Sequence, residues 1–97
     1  MKTFTYQGHK VVLSATRYNN NNTLAIAMDT KDGESYDVIT RNLNHPLQSD
    51  TMAFLDTNNH PEIEKFIKKH RLGVPMGVLQ SSGFCSYPLY TIFTDRF

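Results

Sequence analysis

Only one stretch of this chain carries helical periodicity. Ile63, Phe66, Ile67 and His70 recur at i, i+3, i+4 and i+7, which lines up one buried stripe. Its flanks punctuate it. Asn58-Asn59-His60-Pro61-Glu62 reads as a helix start, with an Asn or its neighbour as cap, Pro in the first turn, and Glu62 and Glu64 near the positive end of the helix dipole. Lys68, Lys69 and Arg71 fall at the negative end, Gly73 stops the helix and Pro75 prevents its return. The pattern predicts a helix over residues 60–71. A lone helix covers only one face of a sheet, so the opposite face is solvated or the sheet curls around the helix. The expected fold is α+β: an antiparallel meander sheet packed on a single α-helix, with no room for an enclosed reaction chamber.

The rest of the chain alternates as strands do. Residues 3–6 read as a short strand, Gln7-Gly8 as a tight turn with Gly8 left-handed, and residues 9–18 as a second strand with Val11, Leu13 and Ala15 on one face. Asn19-Asn20-Asn21-Asn22 reads as a loop, because asparagine tolerates left-handed backbone and bonds its own main chain. Residues 23–29 form a third strand burying Leu24, Ile26 and Met28. Lys31-Asp32-Gly33-Glu34 is a hairpin signal, and residues 35–41 a fourth strand whose faces Ile39 blurs. Residues 42–50 read as loop and 51–56 as a short apolar strand. After the helix, Val78-Leu79 is a short strand, Ser81-Ser82-Gly83 a turn, and residues 84–94 a longer aromatic strand. Pro88 inside it lacks an N–H and marks an edge position or a bulge.

Ninety-seven residues, 39% apolar and 20% charged, make one globular domain spanning residues 1–97. The net charge of +1 argues against bulk electrostatic binding of nucleic acid, which needs an excess of Lys and Arg. A single cysteine, Cys85, excludes an internal disulfide and fits a reducing cytoplasm. The longest apolar run, Leu24 to Met28, is far short of a membrane span. The first residues lack the apolar stretch of a signal peptide. A cytoplasmic protein is expected.

From residue 56 onward a specific pattern appears. It runs Asp56-Thr57-Asn58-Asn59, Pro61, Phe66-Ile67, Leu72-Gly73-Val74-Pro75 with Gly77, then Ser82-Gly83-Phe84-Cys85-Ser86-Tyr87-Pro88-Leu89-Tyr90. It closely resembles a family of small uncharacterised proteins carried by conjugative elements and phages of Gram-positive bacteria. The chain departs from that pattern at Glu62-Ile63, where an aromatic is usual, and at His70-Arg71, where Asn is usual. The resemblance implies an accessory gene of a mobile element. Such genes often encode inhibitors of host defence, including anti-CRISPR-like proteins.

No catalytic constellation stands out. Cys85 needs a nearby base; His9, His45, His60 and His70 are available, and their sequence positions do not say which, if any, is close. Between Phe84 and Tyr87 on a strand, burial is the expectation. No histidines are spaced as a local ligand pair, so neither metal nor cofactor is expected. Gly73, Gly77 and Gly83 fit no phosphate-binding loop.

Two surfaces are candidates. A helix cap explains one polar residue at Asp56-Thr57-Asn58-Asn59, not four, although such side chains routinely bond local backbone. Asp56, Asn58 and Asn59 beside Tyr87 and Tyr90 are therefore the candidate partner-binding set, tyrosine pairing apolar area with a hydroxyl. The alternative is phosphate contact through Lys65, Lys68, Lys69 and Arg71, read otherwise as a solvated face that complements the helix dipole. A non-enzymatic protein-binding factor is the first expectation and a nucleic-acid-binding module the second.

Overall fold

A computed structural model describes residues 2–32, 35–43, 47 and 49–97. The chain begins with β1 (Phe4–Tyr6) and β2 (His9–Arg17), joined by Gln7 and Gly8, both at positive φ (49° and 82°). The tight turn and the left-handed Gly8 are as expected; with Gln7 left-handed too, the two-residue loop is a type I′ turn. Strand β3 (Leu24–Thr30) follows the asparagine turn, and β4 (Ser35–Val38) follows the Lys31 hairpin, whose Gly33 and Glu34 lie outside the described residues. These four strands form an antiparallel meander in the order β1-β2-β3-β4.

The predicted fourth strand does not run straight to Arg41. It breaks at Ile39 and resumes as β5 (Thr40–Arg41) in a second sheet. The physical reason is visible at Ile39. Its N–H bonds the Ile26 carbonyl of β3 (3.0 Å), its own carbonyl accepts from Asp56 N–H (2.9 Å), and its side chain is fully buried. One residue thus ties both sheets, and the blurred faces of the sequence mark where the strand changes partner.

The second sheet adds β6 (Met52–Leu55), β7 (Gly73–Ser82) and β8 (Cys85–Ile92) in the order β5-β6-β8-β7, again antiparallel. The α+β class holds, with the strands divided between two sheets. Within the loop at 42–50, residues 44–46 and 48, His45 among them, lie outside the described residues.

The helix α1 spans Ile63–Lys69, shorter than the 60–71 expected. Residues before it are taken up in tight turns: His60 N–H bonds the Asp56 carbonyl (2.9 Å) and Ile63 N–H bonds the His60 carbonyl (3.0 Å). No asparagine caps it; Glu62 stands at the start with no side-chain cap bond. At the other end Arg71, at φ 56°, turns the chain out of the helix.

Ile63, Phe66 and Ile67 are buried in one cluster with Val11, Ile26, Met28, Leu55, Tyr90 and Ile92. Both sheets and the helix therefore share one core. Each fully buried aliphatic side chain there contributes about 1.5–3 kcal/mol. His70, expected in the same stripe, is half-buried with its ring 5.2 Å from Phe4 and 4.9 Å from Phe66.

The second sheet is apolar on both faces. Ala53, Leu55, Tyr90 and Ile92 join the main core, while the alternate residues Phe54, Tyr87 and Leu89 form a smaller cluster covered by Leu43, Leu47, Met52 and Cys85. The predicted short strand at Val78-Leu79 is in fact the middle of the ten-residue β7, with an irregularity between Pro75 and Leu79. A Gly83-Phe84 loop joins it to β8. Gly83 at φ 63° supplies the left-handed first position of a type II′ turn.

Candidate functional site

The five residues expected to form a recognition surface are not all on the surface. Asp56 directly follows β6 and is buried; its carboxylate accepts from the Asn59 side-chain amide (2.8 Å) and backbone N–H (3.3 Å). It closes the turn that aims α1. Tyr87 is buried in the smaller cluster, with the Arg41 guanidinium 5.6 Å above its ring. Tyr90 is wholly buried, and its hydroxyl donates to Glu64 Oε1 (2.7 Å), tying β8 to the helix. Burial and the Glu64 carboxylate push that phenol's pKa far up. Only Asn58 and Asn59 are exposed. Strand alternation explains the tyrosines: in a sheet packed on both sides, both parities of β8 point inward.

Beside this turn the passage from β4 to β5 opens a shallow concavity of about 400 Å³, lined by Tyr18, Asp37, Thr40, Arg41, Asp56 and Asn59 among others. Tyr18 Oη and Thr40 Oγ1 are hydrogen-bonded (2.8 Å), and Thr40 Oγ1 also accepts from Ile26 N–H (3.2 Å). Burial raises the Tyr18 pKa, the Thr40 bond partly offsetting it. His60 Nε2 hydrogen-bonds Asp37 Oδ2 (2.8 Å) at one edge. The concavity offers hydroxyl and amide hydrogen bonds, one guanidinium and two carboxylates.

Lys65, Lys68, Lys69 and Arg71 are all exposed. Lys65 Nζ pairs with Glu62 Oε2 at 3.3 Å, and the Arg71 carbonyl accepts from Arg96 Nη1 (2.7 Å). Of the adjacent aromatics Tyr6 and Phe66 are buried, while Phe4, packed edge-on against Phe66 and His70, is half-buried. Cys85 is half-buried in the cluster of Tyr87 and Phe54. Among the described residues no group of three or more His, Cys, Asp or Glu is placed to hold a metal ion. No helix among them is long and apolar enough to cross a membrane.

A further surface went unnoticed in the sequence. Strand β7 is the outer strand of its sheet, and Val74, Met76 and Val78 are 41–46% exposed, Leu79 69%, with Phe84 at the hairpin tip fully exposed.

The family model for a domain of unknown function, DUF4313, matches residues 12–97. The chain belongs to this family. The match runs from within β2 to Phe97 and contains Asp56, Asn58, Asn59, Tyr87, Tyr90 and the four cations of the helix side. No curated protein and no solved structure matches the chain.

Two features of this DUF4313 chain escaped sequence reasoning for different reasons. The concavity draws on Tyr18, Asp37, Thr40 and Arg41, which only the break at Ile39 brings together with Asp56. The exposed arm did have a signal: no charged residue or histidine stands between Arg71 and Asp95.

Proposed function

We propose that this chain is a non-enzymatic, cytoplasmic protein-binding factor that docks through the β7–β8 arm. In line with the resemblance of its sequence, we place it among accessory proteins of mobile genetic elements that inhibit a host defence system. The observation that carries the binding reading is the uncharged, apolar outer strand with Leu79 and Phe84 exposed. A monomer that leaves such a strand bare risks aggregation, so a partner surface is the economical reading. The concavity around Arg41 and Asn59 supplies hydrogen bonding near the same sheet.

Retention of proteins from a Gram-positive lysate tests it. Wild-type chain should retain a partner that a Leu79→Lys, Phe84→Ser double variant loses. Equal recovery on wild type, variant and an unrelated control sinks the reading. Restored phage plating in a host with active CRISPR interference checks the narrower anti-defence role.

A second reading, nucleic-acid binding, rests on the four exposed cations Lys65, Lys68, Lys69 and Arg71. It requires affinity for duplex DNA that falls steeply between low and moderate salt and vanishes when Lys65, Lys68 and Lys69 are reversed to Glu. Salt-independent or absent binding removes it.

A further inference from the structure

The register of the β7–β8 hairpin fixes which backbone groups of β7 face outward. Its two-residue loop makes Ser82 and Cys85 the closing pair, and in such loops that pair exchanges both hydrogen bonds. Antiparallel ladders alternate, so Gln80 and Tyr87 bond each other, while Ser81 opposite Ser86 and Leu79 opposite Pro88 do not. The N–H and C=O groups of Leu79 and Ser81 therefore point away from β8, to the open edge.

The same alternation turns the groups of Pro75, opposite Tyr90, outward. Pro75 has no N–H, and the strand is irregular from there to Leu79. Proline and irregularity are devices that blunt an edge. The first half of β7 carries them; Leu79 to Ser82 carries neither them nor a charge.

We infer that Leu79–Ser82 pairs with the same segment of a second copy of this chain, joining two four-stranded sheets across a two-fold axis. The inference rests on the protein-binding reading and names its partner. Three observations favour a second copy. An antiparallel strand pair about a two-fold is self-complementary, so one strand serves both sides. Facing copies bring identical charges together, and this segment has none to repel. With Leu79 and Phe84 largely exposed and three half-exposed neighbours, the arm offers on the order of 600 Å² per copy, the lower end of a stable interface.

The register that satisfies both outward residues sets Leu79 of one copy opposite Ser81 of the other, giving four backbone hydrogen bonds with Gln80 facing Gln80 on the axis. Phe84 of each copy then reaches the Met76 region of the other, where sulfur meets an aromatic ring. Gln80 facing Gln80 is a non-hydrogen-bonded pair, with Cα atoms about 4.5 Å apart.

That geometry is open to cross-linking. In a Cys85→Ser background, Gln80→Cys should form a covalent dimer under copper–phenanthroline oxidation, the Cα separation suiting a disulfide. Ser81→Cys in the same background should not, its counterpart lying two residues further along. Sedimentation equilibrium of the wild type should show a dimer with micromolar dissociation, weakened at least tenfold by Leu79→Lys while the circular dichroism spectrum is kept. A wild type that stays monomeric at high micromolar concentration, a dimer indifferent to Leu79→Lys, or cross-linking at Ser81→Cys in place of Gln80→Cys each overturns the inference. A monomer whose arm still retains a lysate protein, lost on Leu79→Lys, overturns the second copy alone and leaves the protein-binding reading standing.

Discussion

Tyr90 of β8 donates its hydroxyl proton to the Glu64 carboxylate of α1 at 2.7 Å, from a position with no exposed surface. The bond joins the central strand of the second sheet to the helix. Hydrogen bonds to charged acceptors contribute about 1.5–3 kcal/mol, and the partial exposure of Glu64 puts this one at the low end. Tyr90→Phe should cost about 1–2 kcal/mol in denaturant unfolding, with Glu64→Gln costing less because it retains an acceptor.

The same pair makes stability fall at high pH. The folded Tyr90 pKa lies above its ordinary value of 10.0, so the unfolded chain loses this proton first. The contribution is complete below pH 10.0 and is lost as pH rises toward the folded value. Tyr18 is shifted the same way by burial. Unfolding midpoints measured from pH 8 upward should decline above about 10, less steeply in Tyr90→Phe.

At Gly73 the fold leaves no space for a side chain. A Cβ there would lie 2.5 Å from the Thr91 carbonyl oxygen, a backbone atom, and 3.2 Å from Ile67 Cγ2. Gly73→Ala should therefore destabilise by about 1–3 kcal/mol through overpacking. Ile67→Ala, on the opposite side of that contact and wholly buried, should cost about 2–5 kcal/mol by leaving a cavity. Thermal denaturation of both variants checks the ranking.

The polar turn separates a folding role from a binding role. Asp56→Ala removes the acceptor of two Asn59 donors at a buried site and should cost about 1–3 kcal/mol. Asn58→Ala, fully on the surface, should stay within about 0.5 kcal/mol. If Asn58→Ala proves as damaging to stability as Asp56→Ala, the assignment of Asp56 as the residue that closes the turn is mistaken.

Phe84 makes the converse case. Its side chain is entirely exposed, so Phe84→Ser should leave unfolding free energy within about 0.5 kcal/mol. Its effect should appear in association, read by sedimentation, and not in stability.

Local pattern determined much of this protein. Alternation located β1, β2, β3 and β6; the 3.6-residue stripe located Ile63, Phe66 and Ile67; and the exposure of Lys65, Lys68, Lys69 and Arg71 follows from their place off that stripe. These features depend on which side of an element is apolar, and neighbouring residues carry that information. Pro88 was half legible: its missing N–H pointed to an edge position or a bulge. The structure places it in an inner strand, opposite Leu79 where β7 becomes irregular, and the β6 pairing stops one residue short of it, at Phe54 opposite Leu89.

Tertiary structure alone decided the rest. Whether Tyr87 and Tyr90 face solvent depends on β8 being covered on both faces, and that covering comes from residues more than twenty positions away, such as Phe54 and Glu64. The break at Ile39 arises because two sheets compete for its backbone groups, a competition between β3 and Asp56 that no local window contains. The exposure of β7 is likewise a matter of strand order: the sequence marks Val78-Leu79 as strand, and only the order β5-β6-β8-β7 sets that strand at the edge of its sheet.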